Sequence, residues 1–227
     1  MMEIPAYKRW LSYLWEQQLE TTSSEYNPEL TVSLVRGRVQ LIAQNAIYSF
    51  GDYYLNFRKA FHAFHLDMLP SDAEVLVLGL GLGSVPELLE KVFGRKYAYT
   101  AVEIDPVIVQ LAQDYSLPNL RSSIEIFTTD AQIYLEASTR QFDLICMDVF
   151  QDASIPNHLS TVEFLEQTQQ SLNADGAMIY NCLANTAEKK QASQLFFEDT
   201  FCRVFPNASI VDTGGNYMLV SDRKFVD

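Results

Sequence analysis

The chain has 227 residues, 48% hydrophobic and 20% charged, the balance of a globular protein with room for one large domain and a small appendage. Its formal charge of −13 argues against a phosphate-backbone partner, which needs clustered Lys and Arg. That charge would favour the approach of a cation such as a polyamine or a sulfonium, although many proteins are acidic merely for solubility.

No apolar run reaches the length of a membrane span, and Glu3, Lys8 and Arg9 interrupt any signal-like stretch. Cys146, Cys182 and Cys202 have no pairing spacing, so a reducing, cytoplasmic setting without membrane or nucleic-acid partners is expected. In chain order, Trp10, Leu11, Leu14 and Trp15 stand at helical spacing, so the first twenty residues predict an amphipathic helix. After a polar gap from Thr21 to Pro28, Leu30–Val35 alternates with period two and Val39–Ala43 reads as a second strand. Arg36-Gly37-Arg38 between them makes a β-hairpin. Residues 1–52 are read as an N-terminal helix-and-hairpin appendage, and 53–227 as a Rossmann-like domain.

Tyr54–Met68 predicts a helix ended by Pro70. Strands and helices then alternate. The strands are Glu74–Gly79, Tyr97–Glu103, Ser123–Phe127, Phe142–Asp148 and Ala177–Cys182. The helices are Ser84–Phe93, Pro106–Asp114, Ala131–Glu136, Thr161–Leu172 and Glu188–Phe201. Fully apolar centres such as Val75–Leu78 and Leu144–Met147 suit strands covered on both faces, as in a parallel sheet. Ser209–Asp212 and Tyr217–Val220 flank Thr213-Gly214-Gly215-Asn216, a hairpin signal. The expected fold is α/β: a mostly parallel seven-stranded sheet of S-adenosylmethionine-methyltransferase type, closed by an antiparallel C-terminal hairpin.

Gly79-Leu80-Gly81-Leu82-Gly83 follows a buried strand and opens a helix, as a loop does when backbone must pass close to a ligand. A dinucleotide fingerprint would place glycine at 84, where Ser84 stands, so the spacing suits an adenosine bound without a pyrophosphate. A purely structural turn is the alternative. Glu103 ends the second strand, where a carboxylate can accept from both ribose hydroxyls. Asp130 follows the third and can accept from an adenine amino group, with Ala131 leaving room for the ring. Asp148 ends the fourth at the sheet's carboxyl edge. Asp105 and Asp130 also suit helix N-caps.

These residues resemble the spermidine synthase (aminopropyltransferase) family and its spermidine-synthase-like relatives. The resemblance runs from Gly37-Arg38-Val39-Gln40 through Tyr48, the glycine loop, Glu103-Ile104-Asp105 and Asp130-Ala131 to Asp148 and the loop to Pro156. It implies a homodimer formed with help from the N-terminal strands, and a cofactor that is S-adenosylmethionine or its decarboxylated form. Gln40, Gly79, Gly81, Gly83, Glu103, Asp105, Asp130, Ala131 and Asp148 would contact that cofactor. It further implies transfer of an aminopropyl or methyl group to a small, cationic amine, with Asp148 or Asp152 deprotonating or steering the nucleophile; Tyr48, and His158 in a loop expected to border the cofactor, complete the catalytic candidates. Two departures bear on chemistry. Leu82 stands where the family carries an Asp for the donor's cationic end, and Gln151 where a second Asp orients the attacking amine. A non-catalytic adenosyl-binding or scaffold protein of the same descent is therefore the second reading.

His62 and His65 lie three apart on one predicted helix, but with no third ligand near in sequence they read as helix-surface histidines and no metal site is expected. His158 reads either as an acid–base group or as a hydrogen-bonding residue that shapes its loop. Tyr48 either positions a substrate or anchors the appendage.

Overall fold

Helices cover both faces of the central strands, which is why those strands carry no polar side. The computed structural model describes residues 4–43, 46–151 and 154–226. Its main sheet contains β5 (Glu74–Leu78), β6 (Ala98–Glu103), β7 (Ile124–Thr128), β8 (Phe142–Met147), β9 (Leu172–Leu183), β10 (Ser209–Asp212) and β11 (Asn216–Val220). Their spatial order is β10-β11-β9-β8-β5-β6-β7. The four pairings among β5 to β9 are parallel, and β11 runs antiparallel to both β9 and β10. Because β5 lies between β6 and β8, the chain leaves it in opposite directions along the sheet. A crevice opens there, at the carboxyl ends of the strands.

Alternate residues of each strand feed two apolar layers. Val75, Val77, Tyr99, Leu144, Cys146 and Ile179 face α2 (Leu55–Ala63), α3 (Ser84–Lys91) and α4 (Pro106–Tyr115). Leu76, Leu78, Ile145, Met147, Met178 and Tyr180 face α5 (Ala131–Ala137), α6 (Val162–Gln170) and the aromatic end of α7 (Ala187–Phe196). Each fully buried Leu, Ile, Val or Met is worth about 1.5–3 kcal/mol, so burial on both faces accounts for the unbroken apolar centres of these strands.

The N-terminal part differs from the sequence expectation. Only Ala6–Leu11 is helical (α1), and no residue of it is buried. Gln17–Thr22 is strand β1, followed by β2 (Leu30–Val35), β3 (Arg38–Ala43) and β4 (Ala46–Ser49) in an antiparallel sheet of order β1-β2-β3-β4. Apolar spacing at residues 10–15 does not outweigh the ladder that Gln17–Thr22 makes with Leu30–Leu34, because pairing decides where local preference is weak. The predicted hairpin is its centre, β2 and β3. Leu30, Val32, Leu41 and Ala43 share one apolar cluster with α2, α3 and α4, so this sheet packs beside the crevice. The helix predicted to end at Phe201 leaves α-geometry at Phe197, where a π-turn sets Phe201 against Tyr180 and Phe205. Among the described residues no helix is long and apolar enough to cross a membrane.

Candidate functional site

The crevice is a cleft of about 700 Å³, large enough for a nucleoside ligand and a second small molecule together. The loop after β5 forms its floor, and each of its glycines has φ between +52° and +88°. A Cβ at Gly79 would collide with the main-chain carbonyl of Asp148, so only glycine lets the ends of β5 and β8 approach this closely. At Gly81 a Cβ would press on the Tyr48 carbonyl and Ser49 Cβ, both at 3.3 Å, which ties the loop to β4. Ser84 explains the missing fourth glycine. Its buried hydroxyl is hydrogen-bonded to Ser49 Oγ at 2.6 Å and accepts from the Phe50 N–H at 3.0 Å, fastening the N-terminal sheet to the start of α3.

Glu103 ends β6 with 9% of its surface exposed, and it lines the cleft. One carboxylate oxygen accepts the Gly81 N–H and the other the Asp105 N–H, each at 3.2 Å. Burial pushes its carboxyl up to about 7, against the pull of those two amides. Asp105, fully buried, is saturated by the protein itself. Oδ1 caps α4 by accepting the Val107 N–H at 2.9 Å, and Oδ2 accepts from Ser24 Oγ and, at 2.7 Å, from Asn27 Nδ2. Its carboxylate therefore pins the turn Ser24–Asn27 over the cleft, where Tyr26 forms part of the wall.

Asp130 caps α5: Oδ1 accepts the N–H groups of Gln132 (2.8 Å) and Ile133 (3.3 Å). Its other oxygen lies 3.0 Å from His158 Nε2, so the loop before α6 is latched to the start of α5. Ala131, buried beneath this pair, also lines the cleft.

Asp148 lines the cleft just beyond the end of β8. Its Oδ1 accepts from Tyr54 Oη at 3.2 Å and from Asn181 Nδ2 at 2.8 Å, while Oδ2 takes no hydrogen bond among the described residues. Burial pushes this carboxyl up to about 6, opposed by the Asn181 and Tyr54 hydrogen bonds. Tyr54 is driven far above the ordinary phenol range by burial and by the neighbouring Asp148 charge, so it keeps the proton it donates to Asp148 near neutrality.

Of the residues predicted from sequence, Gly79, Gly81, Glu103, Asp105, Asp130, Ala131, Asp148, Tyr48 and His158 all line this cleft. Gln40 and Gly83 do not. Gln40 is 6% exposed on β3, opposite Ser33, and Gly83 caps α3 with Leu117 only 2.8 Å from where its Cβ would be. Asp152 lies outside the described residues. Leu82 is 2% exposed and belongs to the core, and Gln151 lines the cleft with its backbone paired to Ser154. His62 packs its ring edge-on against Phe93. Sequence reasoning missed Tyr54, Asn181 and Asn216, whose side chains gather around Asp148. Tyr54 sits at the N-terminus of a predicted helix, Asn181 lies within an apolar strand, where a polar residue signals a partner across the sheet, and Asn216 reads from sequence as part of the hairpin turn.

A family description of the spermine/spermidine synthase domain matches residues 60–213. The chain is 31% identical over 155 residues to a polyamine aminopropyltransferase of Vibrio vulnificus, covering 67% of this chain and 51% of that protein. It thus spans about half the length of that relative. A spermidine synthase solved in complex with the transition-state analogue AdoDATO superposes with a TM-score of 0.70 at 16% identity, over 90% of this chain and 72% of that one. Human methyltransferase-like protein 13, solved with SAH, superposes with a TM-score of 0.59 at 22% identity, over 73% and 81% respectively. At these identities the two superpositions establish the fold.

Proposed function

Since the chain belongs to the spermine/spermidine synthase family, we propose that it moves an aminopropyl group from decarboxylated S-adenosylmethionine to a small amine. The observation that carries this reading is Asp148. Its carboxylate is held at the cleft by Tyr54 and Asn181 through one oxygen, with the other unengaged among the described residues and the carboxyl raised to about 6. A base of that strength, placed in a cleft, suits the removal of a proton from an attacking amine near neutral pH.

The residues present fit the donor's nucleoside. Each Glu103 oxygen accepts one main-chain N–H, which leaves lone pairs for two neighbouring hydroxyls. Gly79 and Gly81 place no side chain between the loop and the cleft. Ala131 and Ile108 offer an apolar seat for a base, beside the Asp130–His158 pair. When bound, the sulfonium supplies a carbon open to attack and a thioether leaving group. Glu103 and the loop orient, Asp148 takes the amine proton through Oδ2, and Tyr54 and Asn181 keep Oδ1 occupied. With Leu82 turned into the core, no carboxylate from that position meets the donor's cationic end. Phe50, Tyr53 and Tyr54 line the same cleft, and their ring faces attract cations.

Leu82 also favours a second reading, methyl transfer from S-adenosylmethionine itself. Both donors, isotopically labelled, should be offered with a panel of small amines and the products weighed. The first reading expects aminopropylated amine from the decarboxylated donor; methylated product supports the second, and affinity without product marks a binding protein. As partner we propose a second copy of this chain. Tyr7, Trp10, Tyr13, Leu14 and Trp15 are each at least 57% exposed, an apolar patch of the kind that marks an interface.

A further inference from the structure

We infer that Asn216, on the C-terminal hairpin, is a positioning residue that holds Asp148 through the side chain of Asn181. Asn216 Nδ2 donates to Asn181 Oδ1 at 2.8 Å, and Asn181 Nδ2 donates to Asp148 Oδ1 at 2.8 Å. This rests on the reading of Asp148 as the group that meets the nucleophile, and it adds Asn216 to that site.

The direction of the chain follows from the chemistry of its members. An ionised carboxylate only accepts, so Asn181 must turn its amino group toward Asp148. Its carbonyl oxygen then points the other way, on a side chain that is 1% exposed, and a buried carbonyl needs a donor. Asn216 provides that donor. Were the Asn181 amide reversed, its oxygen would lie against the carboxylate and its amino group against that of Asn216, and both contacts would repel. The two amides therefore lock one another in the single arrangement that keeps Asp148 Oδ1 engaged and leaves Oδ2 for the cleft.

The sheet makes this arrangement possible. Asn181 on β9 is paired with Met218 on β11, which places Asn216 two residues along, on the same face and diagonally across. The tight turn holds Asn216 in place: its carbonyl accepts both the Thr213 N–H (3.0 Å) and Thr213 Oγ1 (2.9 Å), and Lys59 Nζ donates to the Thr213 carbonyl at 2.6 Å. The antiparallel hairpin thereby reaches into a site that the parallel strand ends and the N-terminal sheet also build. Beside Asp148, Tyr54, before α2, and Cys146, on β8, are both raised by burial; Glu103, Asp105, Asp130, His158 and Lys189, with Tyr26, Tyr48 and Tyr53, line the same cleft.

The test is the titration of Asp148 in the intact chain, followed by carboxyl carbon NMR and assigned with Asp148→Asn. Three variants are compared with wild type: Asn181→Leu, Asn216→Ala and the double replacement. Loss of a hydrogen bond to a charged group should raise the Asp148 midpoint by about one to two pH units in Asn181→Leu. A smaller rise is expected in Asn216→Ala. Because Asn216 acts only through Asn181, the double variant should titrate with Asn181→Leu and not beyond it. An unmoved midpoint in Asn216→Ala, or additive shifts in the double variant, overturns the inference. If Asn181→Leu does not fold, Asn181→Ala with and without Asn216→Ala gives the same comparison. None of this requires turnover, so a failed transferase reading shows separately, as absence of product from the wild-type chain.

Discussion

Replacing Asp148 by Asn should raise stability while removing activity. The carboxyl stands at about 6, roughly two pH units above an ordinary aspartate, and each such unit corresponds to ~1.4 kcal/mol. Its folded value lies above its unfolded one, so its contribution to stability is complete below the ordinary aspartate range and is lost as pH rises through about 6. Asparagine does not ionise and escapes that loss, while its carbonyl still accepts from Tyr54 and Asn181. Allowing for partial solvation at a cleft wall, Asp148→Asn should be more stable than wild type at pH 8 by about 1–2 kcal/mol, or ~2–8 °C in Tm. The gap should close by about pH 4. Over the same range, kcat/KM with the decarboxylated donor should fall ~10²–10⁴-fold, and the acid limb near pH 6 should disappear. Thermal denaturation at five pH values, paired with initial rates, makes the measurement. Parallel stability curves for the two proteins, or a variant retaining more than about a tenth of the activity, would refute the assignment of Asp148 as the buried base.

Asp105→Ala should cost ~2–4 kcal/mol, because it removes a helix cap and strands the buried Asn27 amide; hydrogen exchange should then quicken across residues 23–27. Gly79→Ala adds a Cβ against the Asp148 carbonyl at a φ of +88°, so we expect a loss of at least ~2 kcal/mol, read as a lowered denaturant midpoint, together with lost nucleoside binding. Trp10→Ser with Trp15→Ser should shift sedimentation toward monomer and leave the far-ultraviolet spectrum unchanged; an unchanged oligomer rules this patch out as the interface.

The α/β portion was legible because physical constraints there coincide. Strands covered on both faces must be apolar throughout, as Val75–Leu78 and Leu144–Met147 are, and polar caps such as Asp105 and Asp130 mark where helices begin. The N-terminal segment was not, because Gln17–Thr22 is strand only by virtue of its partner, and exposed Trp10 and Trp15 mimic an amphipathic face. Site residues at strand ends after β5, β6 and β8 were found by the rule that ligands bind there. Asp105 met that rule, yet its carboxylate proved to be consumed by Ser24, Asn27 and Val107, which only the tertiary structure reveals. Tyr54, Asn181 and Asn216 escaped notice for a related reason. They are remote from one another in the chain, and only sheet order and hairpin register bring them to Asp148.

Calorimetric titration of decarboxylated S-adenosylmethionine into the wild-type chain and into Glu103→Gln tests the central claim most directly. A nucleoside held by the ends of β5, β6 and β8 predicts one saturable site in wild type, weakened about 10–100-fold when the carboxylate that accepts from Gly81 and Asp105 becomes an amide. No heat below millimolar donor, or equal affinity in the two proteins, would contradict it.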